Sequence, residues 1–206
     1  MASVVGDVDG RSGIEIGIIG REGVTGLAVI MATDRSPHET YMQVAGAGHR
    51  ISAQALRNAM FQSRSLQQTL LRYAYAFGIQ TAETAVANGR CSIEERLARW
   101  LLMALDRIDG VVVPLTHEFL ATMLGVRRSG VSVALAALEA KNLVKPQRGL
   151  VLVSDRRGLE ECANGAYGTS EAELQRLMHT ESPLERRQLE SRSPVIYNHR
   201  SAIGSR

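Results

Sequence analysis

The residues best suited to chemistry are cations and small hydroxyls gathered in one stretch. Arg127, Arg128, Ser129 and Ser132 stand together, Thr116 and His117 precede them, and Lys145 and Arg148 follow. An arginine can donate two hydrogen bonds at once to the acceptors of guanine, and a serine reads base edges less selectively. Threonine, histidine, lysine and arginine also suit phosphate oxygens, which hold a protein in register without reporting sequence. From 116 to 157 there are seven Lys/Arg against three Asp/Glu, whereas 1–60 carry five Arg against six Asp/Glu. Positive charge is therefore concentrated where a polyanion would lie, although the net charge of the chain is only +3.

Two short helical patterns must position these groups. Thr116 suits an N-cap, and Phe119, Leu120, Met123 and Leu124 recur on one helical face. Ala121 permits close helix approach. Gly125 stands where a left-handed cap is needed, and Val126 plugs the turn. The spacing predicts a second helix from about Arg128 to Lys141, with Val131, Leu135 and Leu138 inward and Asn142 as C-cap. Val144-Lys145 and Leu150–Val153 are short β-rich runs joined by Pro146-Gln147-Arg148-Gly149. This is the pattern of a helix-turn-helix with a wing, which presents its second helix to a major groove. An ordinary helical hairpin in a soluble core is the alternative, and the basic wing weighs against it. Lys141, Arg156 and Arg157 read best as solvated charges.

Upstream, residues 1–51 read as β structure, with a hairpin signal at Asp9-Gly10. Ile14, Ile16 and Ile18 alternate with Glu15 and Gly17, as in a half-buried strand. Val24–Ala32 is a mostly apolar run, and Tyr41–Val44 suggests another strand. Ser52 caps a helix through about Gln62. Ser65-Leu66-Gln67-Gln68 reads as a capping box opening a long helix from Leu66 to about Ala87. Leu66, Leu70, Tyr73 and Phe77 form its stripe, wide enough to face both a barrel and a second copy of itself. Ser92-Ile93-Glu94-Glu95 is a second capping box, opening a helix with Leu97, Trp100, Leu101 and Ala104 inward and a Glu95–Arg99 pair at i,i+4. Val111–Val113 would pair with the wing. Beyond Tyr167 helical fragments are broken by Pro183, and the last residues read as a mobile tail.

Three segments carry a family resemblance: ERLARWLLMA at 95–104, LTHEFLATMLGVRRSGVSVALAALEAKNLV at 115–144 and RGLVLVSDRRGLEE at 148–161. They resemble the DNA-binding domain of Crp/Fnr-type transcription regulators, over about 92–167. GIEIGIIGREGVTG at 13–26 and RISAQAL at 50–56 resemble the later part of that family's cyclic-nucleotide-binding-like sensor barrel. The resemblance implies an α+β fold: a partial antiparallel, jelly-roll-like β-barrel over 1–64, a long dimerisation helix and hinge over 65–91, and a C-terminal winged helix-turn-helix over 92–167. A poorly structured tail over 168–206 would complete it. The barrel is joined part-way along, so the sensor is expected to be shortened, with open strand edges.

The resemblance also implies roles. Arg127, Arg128, Ser129 and Ser132 become base readers, and Thr116, His117, Lys145 and Arg148 phosphate contacts. Arg128 matches a base-reading arginine, but Ser129 stands where a glutamate is usual and Val133 where a second arginine is usual. Leu66, Leu70, Tyr73 and Phe77 become the dimer seam. Glu22 and Arg35-Ser36 fall roughly where cyclic-nucleotide sensors hold ribose and phosphate, though Pro37 departs from the pattern; a barrel turn retained without ligand is the simpler reading. Implied partners are double-stranded DNA, a second copy of the chain and RNA polymerase. An effector-binding or protein-interaction module with a degenerate barrel and no selective DNA binding is the alternative.

Other classes find little support. Two cysteines, Cys91 and Cys162, fall short of the roughly four an iron–sulfur cluster needs, and suit a reducing cytoplasm. Gly20-Arg21-Glu22-Gly23 lacks the Gly-Lys-Ser/Thr of a nucleotide-hydrolysing loop. His117-Glu118 begins like a zinc-protease motif, but Ala121 replaces the second histidine, and the histidines have no metal-ligand spacing. Neither a nucleophile elbow nor a paired-carboxylate site appears, so no enzyme, metal or cofactor is expected. The N-terminus does not read as a signal peptide, and no apolar run reaches the roughly 20 residues of a membrane span.

Overall fold

The computed structural model describes residues 1–7 and 13–179. The Asp9-Gly10 hairpin signal, the Pro183 break, the final tail and His199 lie outside the described residues.

Three strands open the chain: β1 (Ala2–Gly6), β2 (Ile14–Ile19) and, after the short helix α1 (Leu27–Ile30), β3 (Glu39–Met42). They form an antiparallel sheet in the order β2-β1-β3, and no closed barrel appears among the described residues. The apolar run at 24–32 is thus a turn and a helix rather than a strand. Its entry is Gly26, at φ +79°, a conformation most residues avoid.

The alternation read from Ile14, Ile16 and Ile18 predicts one buried face. Instead Glu15, Gly17, Ile18 and Ile19 are buried, and Ile14 and Ile16 are only partly so. Both faces of β2 are covered, one by the long helix and the other by the C-terminal domain. The register also shifts between Val4 and Val5, so Ile16 is the extra residue of a bulge.

Helices α2 (Ala53–Gln62) and α3 (Arg64–Arg90) follow. Ser52 caps α2 as expected. The cap of α3 is Ser63, whose hydroxyl accepts from the Leu66 amide, not Ser65, and the helix runs on through Asn88-Gly89 to Arg90. One edge of β2 faces this helix: the Ile18 amide donates to Gln80 Oε1 at 2.7 Å, so a helix side chain serves an edge amide that no neighbouring strand pairs. Tyr73 and Phe77 pack on the same sheet, with Ala2, Val4 and Ile19.

The second domain opens with α4 (Ile93–Leu105), whose Ser92–Glu95 capping box is present as read. The Glu95–Arg99 pair is not. Arg99 turns inward to the Ala166 carbonyl and Thr84 Oγ1, and Glu95 serves the cap and Asn164. Then come β4 (Val112–Val113), α5 (His117–Leu124), α6 (Arg128–Ala140), β5 (Val144–Gln147), β6 (Leu150–Val153) and α7 (Arg156–Cys162). The wing sheet has the order β4-β6-β5, so Pro146 lies on an edge strand, where its missing amide is harmless. Leu97, Leu101, Leu102, Leu120, Val131, Leu135, Leu138, Val144 and Leu159 form the core behind these elements, and Met1 and Ile18 join it from the first sheet.

Residues read as the start of a poorly structured tail form α8 (Thr169–His179), which packs along α3 and sends Leu174 toward Tyr73 and Phe77. Arg156 is not a free surface charge either. It pairs with Asp106 at 2.8 Å and Glu160 at 2.9 Å and lies over the Tyr167 ring, while Lys141 pairs with Glu94.

Candidate nucleic-acid interface

Two short helices and a hairpin assemble the basic surface. Thr116 caps α5, its Oγ1 accepting from the Phe119 amide at 3.2 Å. Gly125 ends α5 at φ +62°, ψ +37°, and its amide closes onto Thr122 O. The Val126 amide returns to Ala121 O, and Arg96 donates to the Leu124 carbonyl, so three of the carbonyls in the last turn, those of Ala121, Thr122 and Leu124, have partners. Helices α5 and α6 meet at 105°, within the range of helix-turn-helix units.

Arg127 is the N-cap residue of α6 and offers no side-chain cap of its own. Arg127, Arg128 and Ser129 are exposed at the start of that helix, with Ser132 one turn further on. The Ser132 hydroxyl donates to the Arg128 carbonyl at 3.2 Å and lies 3.1 Å from His117 Nδ1. The head of α5 and the exposed side of α6 therefore touch. In the wing, β5 and β6 are joined by Arg148-Gly149 alone, Gly149 at φ +77°. Lys145 and Arg148 are exposed on this hairpin, while Val144, Val151 and Val153 face the core. All eight residues singled out from the sequence for base or phosphate contact thus belong to α5, its cap, the first turns of α6 or the wing.

The remaining candidates fall elsewhere. Tyr73 is only 5% exposed, Phe77 packs beside it, and Leu66 and Leu70 are partly buried. The exposed apolar side of α3 is a different one, running Leu71, Tyr75, Gly78, Ala82 and Val86. Glu22 pairs with the buried Arg107 at 2.7 Å. Arg35 and Ser36 stand on the exposed segment between α1 and β3, where Ser36 and His38 bond each other.

Sequence reading missed a buried bridge between the first sheet and the head. Glu15, on β2, accepts from Trp100 Nε1 at 2.6 Å and from Ser3 Oγ at 2.5 Å. It is 5% exposed, and burial raises its pKa from an ordinary 4.5 to about 7, against the lowering effect of those hydrogen bonds and of Arg99 and Arg107. The available signal was a carboxylate inside an apolar strand and a tryptophan with one indole donor to satisfy. Cys162 is held up to about 11 by burial and by Glu94, which disfavours its thiolate.

The head matches the model of the Crp-like helix-turn-helix domain over residues 95–162. Comparison with curated proteins gives no match. Among solved structures, a CRP-family transcriptional regulator from Thermus thermophilus superposes with a TM-score of 0.66 at 17% identity, over 81% of this chain and 85% of that one. A Crp/Fnr-family regulator from Eubacterium rectale gives 0.60 at 17%, over 80% and 77%. FixK2 from Bradyrhizobium japonicum gives 0.55 at 15%, over 78% and 82%. Residues 95–162 are thus a Crp-like helix-turn-helix domain, carried on the fold of Crp/Fnr-family regulators. The resemblance read from the sequence is borne out, for the head by the family model and for the fold by the solved structures. Among the described residues no single helix is long and apolar enough to cross a membrane.

Proposed function

We propose that the protein is a cytoplasmic, sequence-specific regulator of transcription that grips double-stranded DNA as a homodimer, with RNA polymerase as its further partner. One observation carries this reading: the exposed first turns of α6, with Arg127, Arg128, Ser129 and Ser132, share a surface with the head of α5 and the basic wing. In it, α6 enters the major groove and those four residues meet base edges. Thr116, His117, Lys145 and Arg148 hold phosphates on either side. The ion pair between Glu22 and Arg107, away from the exposed Arg35 and Ser36, favours a sheet that works without a bound nucleotide.

The test is selection of bound duplexes from a randomised pool, followed by titration of the winners. Arg128→Ala is expected to relax preference at one position of each half-site, a loss of about 1–3 kcal/mol against the favoured base. Equal losses on selected and random DNA remove Arg128 from base reading. Failure to enrich any sequence removes the whole reading in favour of a protein-interaction module.

Two half-sites require two heads. The seam suited to a second copy is the side of α3 bearing Leu71, Tyr75, Gly78, Ala82 and Val86, which the chain's own sheet leaves uncovered. Among the described residues nothing lies near the missing Cβ of Gly78, so they leave room there for an arginine. Gly78→Arg is therefore expected to give a folded monomer in analytical ultracentrifugation, with half-site affinity kept and full-site affinity lost. A variant that sediments as wild type does moves the seam elsewhere.

A further inference from the structure

Beyond its first turn, the charge on the exposed side of α6 is Glu139, which helical spacing sets on the flank of Ser132 and away from Val133. Val131, Ala134, Leu135 and Leu138 are buried, and helical spacing sets Ser129, Val133, Ala136 and Ala140 on the opposite side. All four are exposed. Val133 is 71% exposed, more than any other valine, leucine or isoleucine among the described residues. Its neighbours on that face are a serine and alanines, too short to hold a flat surface away from it. A branched apolar side chain at the centre of a small-residue face gains free energy only from an apolar partner that comes close. Arg128 and Ser129 stand at the head of the same helix, one turn before it.

On the floor of the major groove the apolar feature of a base pair is the C5-methyl group of thymine. We propose that Val133 is a specificity-determining residue that seats against a thymine methyl in each half-site, with Ala136 beside it. This rests on the DNA-reading role of α6 and adds the base that the helix selects there. Between Arg128 and Val133 the helix advances about 7.5 Å. The thymine therefore lies within about two or three base pairs of the position that Arg128 reads.

The experiment uses the full chain and a duplex selected from the random pool. Each thymine in a half-site is replaced in turn by deoxyuridine, which keeps every hydrogen-bonding group and removes only the methyl. Replacement of the contacted thymine in one half-site is expected to weaken wild-type binding about fourfold, the factor that burying one methylene-sized group supplies. Val133→Ala and Val133→Ser, both at an exposed position, are expected to keep the wild-type unfolding temperature and to bind thymine and uracil duplexes equally. Uracil tolerated at every position, or a uracil penalty that survives both substitutions, overturns the proposal while leaving selective DNA binding intact. A chain that selects no sequence overturns both. Loss of a protein partner in the two variants without any change on DNA assigns the face to protein contact and overturns this proposal alone.

Discussion

Glu15→Gln is expected to stabilise the protein by about 3 kcal/mol at about pH 8 and to leave its stability unchanged at about pH 4. The carboxyl is buried between β1, β2 and α4, and its folded pKa is about 7 against an ordinary 4.5. The groups facing it are Ser3 on β1, Trp100 and Arg99 on α4, Arg107 just beyond α4, and Tyr41 on β3. Because the folded value is raised, the contribution to stability is whole below about pH 4.5 and is lost as pH rises through about 7. Above that range the wild-type protein either folds around a desolvated negative charge or loosens there. Glutamine still accepts from the Trp100 indole, and nothing is left to ionise. Thermal unfolding of both proteins from about pH 4 to 8 measures the effect. Parallel profiles would show that Glu15 titrates as it would in water.

Gly125→Val is expected to cost about 2–3 kcal/mol, through a left-handed backbone that a β-branched residue adopts badly. The glycine sits at φ +62°, and a Cβ built on it would lie 2.5 Å from Ile14 Cδ1, on β2. Two penalties coincide: local strain in the turn that aims α6, and a collision that pushes the sheet off the head. Gly125→Asn separates them, because asparagine tolerates the left-handed region while keeping the Cβ. Urea unfolding is expected to rank wild type above Gly125→Asn and Gly125→Asn above Gly125→Val. Equal stability of the two variants would assign the whole cost to Ile14.

The head was legible because its signals are local. A cap at Thr116, a glycine at 125 and apolar spacing in two helices each act over a few residues, and the structure keeps them; the sequence suggests a four-residue joint in the hairpin, which the structure shortens to Arg148-Gly149 because β5 runs on to Gln147. The family resemblance added the fold. The face of β2 was not legible, because alternation tells which residues share a side and not what covers it. The cover over Glu15 comes from Trp100, far along the chain. Which side of α3 the sheet would cover was not legible either: Tyr73 and Leu71 both carry large apolar surface, and only the position of the sheet decides that the first is buried and the second exposed. Helix α8 was seen only as fragments, since its burial against α3 draws on few large apolar groups, chiefly Leu174.

The amide of Ile18 reaching Gln80 ties a strand to the middle of a helix by one oriented bond. A paired strand would hold such an edge by a ladder of bonds; here one bond does so, and the helix cannot turn about its axis without carrying that oxygen sideways. Three residues back on the same strand, Glu15 is fastened to the indole of the head. Two side-chain bonds on one strand therefore join the middle of α3 to α4, so a rotation of the long helix would be felt first at Glu15 and Trp100.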